Sequence, residues 1–72
     1  MSGLLAETGE ALFGPQWQSE LARELGVADR TVRRWVAGTT EAPRGVYLDL
    51  LRLTIERAAV LDDLEQRLRQ AS

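Results

Sequence analysis

The sequence contains no cysteine, no histidine and no lysine. Without cysteine there are no disulfide staples and no thiolate nucleophile, and without cysteine or histidine the usual zinc ligand sets are absent. The remaining acid–base groups are carboxylates spread along helix surfaces, in a chain of 72 residues with little volume for a pocket. The sequence therefore predicts a protein that is not an enzyme, with no cofactor, no metal and no small-molecule ligand. No apolar run approaches the roughly 18 to 20 residues that cross a bilayer, and residues 1–13 lack the basic start and cleavage site of a secretory signal. A cytoplasmic protein with no membrane partner is expected.

What is present describes a folded chain. Hydrophobic residues make up 44%, ordinary for a globular domain and too high for a disordered tail. The length permits one modest core near the lower limit of unaided folding, so residues 1–72 are expected to form a single domain stabilised by packing and self-association. The net charge of -2 is unevenly distributed. Residues 1–22 carry three acids and no base, residues 23–45 five arginines against three acids, and residues 46–72 four arginines against five acids. Location matters more than the sum for a nucleic-acid partner, and the basic excess lies in the middle. All nine basic residues are arginine, which suits bidentate contacts to phosphate or guanine. Their uniform use along the chain nevertheless fits the coding bias of a GC-rich genome better.

No apolar/polar alternation persists, and the periodicity is helical throughout. The expected fold class is all-α: a compact domain of four to five helices with a helix-turn-helix and a long C-terminal helix. A first helix is predicted from Gly3 to Leu12, with Leu4, Leu5, Thr8, Ala11 and Leu12 inward, ended by Phe13, Gly14 and Pro15. A second runs from Gln16 to Leu25 with Trp17, Leu21, Ala22 and Leu25 inward, and Gly26 as its C-cap residue. A third occupies Asp29 to Ala37, with Val32, Trp35 and Val36 inward and Arg30, Arg33 and Arg34 on the other side. Both tryptophans read as core rather than stacking platforms, because each lies on an apolar helical face.

After a linker over Thr39–Ala42, Pro43 suits the first turn of a last helix reaching Gln70. Unbroken, it spans roughly 40 Å. Between Val46 and Ala59 its apolar residues cover well over half the circumference, which predicts burial from several sides. Beyond, Val60, Leu61, Leu64 and Leu68 form a narrow stripe that calls for a partner helix. Joined by Leu53 and by Ile55, these residues are the candidate homodimer surface, so residues 44–70 serve dimerisation as well. Arg57 interrupts the stripe, and a break near Asp62 with the chain folding back is the alternative.

The chemistry-bearing pattern is Q-x-x-L-A-x-x-L-G-V-x-x-x-T-V-x-x-W, from Gln18 to Trp35. Two helices crossing at about 90 to 120° need a small residue at the contact, which Ala22 supplies, and a turn residue tolerant of positive φ, which Gly26 supplies. Leu21, Leu25, Val27, Val32 and Trp35 fill the angle between them. This stretch, Gln18 to Ala37, resembles the helix-turn-helix of the lambda-repressor-like (Cro/repressor) superfamily of transcriptional regulators. The wider run GPQWQSELARELGVADRTVRRWVAG is similar to small proteobacterial and phage regulators.

The resemblance implies a sequence-specific double-stranded DNA-binding regulator whose recognition helix enters the major groove with its N-terminal end reading bases. Carried over by position, it makes Ala28 the cap of that helix and puts Asp29, Arg30, Arg33 and Arg34 on its outward face. Gln18, at the start of the preceding helix, and Thr31 are assigned to phosphate contact or to support of the reading residues. Thr39, with Thr40 and Arg44, is either a backbone contact or plain linker. Ala28 departs from the Ser or Thr usual at the cap, which leaves Asp29 as the alternative cap. Asp29 stands four residues before Arg33, the favourable order for a helical ion pair that would aim Arg33 at a guanine. On charge pattern alone three arginines on one face are a solvated surface; the motif is what turns them into contacts. A dimeric repressor reading an inverted repeat is the expected function. The alternative is a helical protein-interaction module, such as an antitoxin or phage adaptor, whose last helix docks a partner.

Overall fold

The computed structural model describes residues 3–71, so Met1, Ser2 and Ser72, the outermost positions of the expected domain, lie outside the described residues. α1 spans Gly3–Phe13 and is followed by a 3-10 turn over Gly14–Gln16; α2 (Trp17–Leu25), α3 (Asp29–Ala37) and α4 (Arg44–Ala71) follow. The described residues contain no strand, and the all-helical class is as expected. Four α-helices form, but not as the compact domain expected. Three short helices and the start of α4 enclose the core, and the rest of α4 leaves it, giving a molecule of 48 × 22 × 21 Å.

The core consists of Leu5 and Leu12 from α1, Trp17, Leu21 and Ala22 from α2, Val32 and Trp35 from α3, and Val46 and Leu50 from α4. Burying one such leucine contributes about 1.5–3 kcal/mol, so a core this small leaves little surplus over chain entropy. Both tryptophans sit inside it, as their helical positions require.

α1 turns in Leu5 and Leu12 as expected, but not Leu4 and Ala11. Leu5, Gly9 and Leu12 are buried, while Leu4 is 66% exposed and Ala11 is exposed. The cause is Gly9, where an added Cβ would collide with the Trp17 ring. A helical glycine costs about 1 kcal/mol relative to alanine, but here it admits the indole against bare backbone. Leu5 and Leu12 then follow at helical spacing around that contact.

α4 is one unbroken helix of 28 residues; the break near Asp62 does not occur. No helix among the described residues is long and apolar enough to cross a membrane. The expected burial of residues 46–59 from several sides is corrected: Leu48, Leu51 and Ile55 are exposed, because the other helices cover only one side of α4. Leu53 is half-buried and packs against the core, which removes it from the dimer stripe. Val60, Leu61 and Leu64 are 55%, 57% and 40% exposed, and Leu68 is exposed as well. Arg57 serves the monomer, donating from Nη1 to the carbonyl oxygen of Leu12 at 2.9 Å. The last carbonyls of a helix lack intrahelical donors and carry its negative dipole end, so this cation fastens α4 to the end of α1.

Candidate nucleic-acid interface

α2 and α3 are joined by a turn in which Gly26 adopts φ 72°. Its N–H reaches the Arg23 carbonyl at 3.3 Å, and the Val27 N–H reaches that of Ala22 at 2.9 Å. These two bonds form a Schellman closure, which needs a left-handed residue at the position of Gly26. Ala22, almost completely buried, lets α2 and α3 approach. α3 ends in the same way: Gly38 has φ 81°, and the Thr39 N–H donates to the Arg34 carbonyl at 3.1 Å. The C-terminal ends of α2 and α3 are thus each closed by a left-handed glycine, Gly26 and Gly38.

The start of α3 holds two corrections. Ala28 is the N-cap residue, extended at φ −73° and ψ 149° and without a side-chain cap bond, so the cap does not shift to Asp29. Asp29 is the first helical residue, where a carboxylate complements the positive dipole end. Its Oδ2 accepts from Ser19 Oγ at 3.1 Å, and the expected ion pair with Arg33 is not formed. The hydroxyl of α2 reaches the carboxylate, and the Arg33 side chain stays in solvent. Asp29 therefore ties the two helices of the motif together. Ser19 escaped the sequence reading because no local pattern marks a partner ten positions away; only the crossing of α2 and α3 creates the pair.

Asp29, Arg30, Arg33 and Arg34 share the exposed side of α3, opposite buried Val32 and Trp35, and Ala28 is exposed at the cap just before it. Thr31 is half-buried, with its N–H donating to the Ala28 carbonyl at 3.0 Å. Gln18 is half-buried in the first turn of α2, and Thr39 is exposed just beyond the far end of α3. Of the eight residues expected at a DNA contact, the four expected on the outward face of α3 lie there, Ala28 and Thr39 are exposed just before and just beyond that helix, and Gln18 and Thr31 are partly withdrawn.

The arginines divide cleanly. Arg23 pairs with Glu20, Arg52 with Asp49 and Glu56, Arg67 with Asp63 and Arg69 with Glu65, while Arg57 holds Leu12. Among the described residues Arg30, Arg33, Arg34 and Arg44 have no ion pair or side-chain hydrogen bond. Arg30 stands three and four places from Arg33 and Arg34, spacings at which like charges cost about 0.2–0.5 kcal/mol each. The fold thus carries repulsion on α3 that no intramolecular contact offsets. No family model, curated protein or solved structure matches the chain.

Proposed function

We propose that the chain is a sequence-specific double-stranded DNA-binding transcriptional regulator, a cytoplasmic homodimeric repressor that presents α3 to the major groove. The observation that carries this reading is the distribution of arginine: those without an ion pair or side-chain hydrogen bond among the described residues are the three on the outward face of α3 and Arg44 at the start of α4. A guanidinium offers paired donors that match guanine O6 and N7 or a phosphate. The turn at Gly26 and the Ser19–Asp29 bond hold α3 rigidly on α2, so the reading face is set before contact. One helix of this length makes few base contacts. A two-fold axis doubles them and places two recognition helices about 34 Å apart on one side of an inverted repeat.

Fluorescence anisotropy on DNA selected from a random pool tests the proposal as salt is raised. With four arginines per copy neutralising phosphate, log affinity should fall against log salt with a slope of about −7 for a dimer and about −4 for one copy. The exposed apolar end of α4 favours a second reading, a helical interaction module that docks a protein. No saturable DNA binding at low salt would decide for that module.

A further inference from the structure

α1 and α4 run side by side in the same direction, with an open groove of about 390 Å³ between them. Its lining includes the small residues Thr8 and Ala11 from α1 and Thr54 and Ala58 from α4, beside Leu4, Leu12 and Leu61 and the charged Glu7 and Arg57. The groove belongs to the face of α4 that continues past the core into Leu61, Leu64 and Leu68. On this one face, α4 therefore carries Thr54 and Ala58 where it lies beside α1 and leucines farther along.

We propose that this groove receives the projecting end of α4 from a second copy of the chain, in an antiparallel pair whose two-fold axis passes beside Leu61. The inference deepens the dimer reading above and rests on it. The sequence is self-complementary about that point. Three places either side of Leu61 stand Ala58 and Leu64, and seven places either side stand Thr54 and Leu68. An antiparallel pair brings each small residue opposite a leucine of the second copy, the alternation that lets facing helices interdigitate. Four places either side stand Arg57 and Glu65, which within the chain also meet the Leu12 carbonyl and Arg69, and the same register makes these opposite charges neighbours. A parallel pair would instead set Arg57 beside Arg57 and Glu65 beside Glu65, and would leave the groove uncovered.

The absence of native cysteine makes the register directly measurable. Chains carrying Ala58→Cys and chains carrying Leu64→Cys are mixed without DNA and oxidised; both positions are exposed, so the core is untouched. The expected result is a mixed disulfide between the two variants, with little homodisulfide from either. In the proposed register the two thiols of a Leu64→Cys pair lie about 9 Å apart along the axis, beyond the roughly 4.5 Å Cβ separation that a disulfide spans. A Leu64→Cys homodisulfide at yields equal to the mixed product would overturn the arrangement, as would a monomeric mass by sedimentation with no crosslink. A mixed disulfide from a protein that fails to bind DNA would support this arrangement while removing the regulator reading.

Discussion

At the scale of single residues, the chain separates side chains that hold it together from side chains that do not. Arg57 and Asp29 each meet a defined partner, Leu12 and Ser19, whereas Arg30, Arg33 and Arg34 meet none among the described residues. Replacing those three by alanine should leave the melting temperature unchanged or slightly raised, since alanine favours helix and two like-charge spacings disappear. The same variant should lose at least about 100-fold in DNA affinity, because even one bidentate contact is worth about 1–3 kcal/mol. Thermal melts followed by circular dichroism, run beside anisotropy titrations, check both halves. A structural role for these arginines would lower stability and affinity together.

At the scale of elements, the interior of the helix-turn-helix was legible because its requirements are local. Gly26, Ala22 and the apolar positions between them state the turn, the close approach and the filling of the angle. The boundaries of α3 follow for the same reason, since Gly38 marks its end. The inward face of α1 was legible only at Leu5 and Leu12; its centre was missed, because Gly9 packs through its lack of a side chain and periodicity counts only side chains that are present. The partners of Asp29 and Arg57 were hidden too: Ser19 and the Leu12 carbonyl are distant in sequence, and a backbone acceptor has no residue signature at all. Arg57 in particular read as a flaw in an apolar stripe. As a C-terminal anchor for α1 it should matter to stability: Arg57→Met keeps much of the apolar stem and should cost about 1 kcal/mol, the usual net worth of such a bond. Faster amide exchange near the end of α1, with α3 unchanged, is the accompanying signature.

At the scale of the whole molecule, the core and the far end of α4 serve different ends. Every fully buried side chain lies at or before Leu50, and residues 54–71 are exposed. The apolar surface that Leu61 and Leu64 leave in water contributes no burial energy to a monomer, while a second copy would give it a use. A chain ending at Leu61 should therefore keep its fold. In dilute solution its melting temperature should change by no more than about 3 °C, the shift that roughly 0.5 kcal/mol brings to a domain of this size. At high concentration the two chains should part company. The full-length protein should gain stability with concentration, as any dimer does by mass action, and the shortened one should not. Its DNA affinity should fall to that of a single recognition helix, with the salt slope reduced by about half. Melting curves over a wide range of concentration, with salt titrations on one operator, measure each consequence separately; a shortened chain that unfolds when dilute would place part of the core's stability in the end of α4 instead.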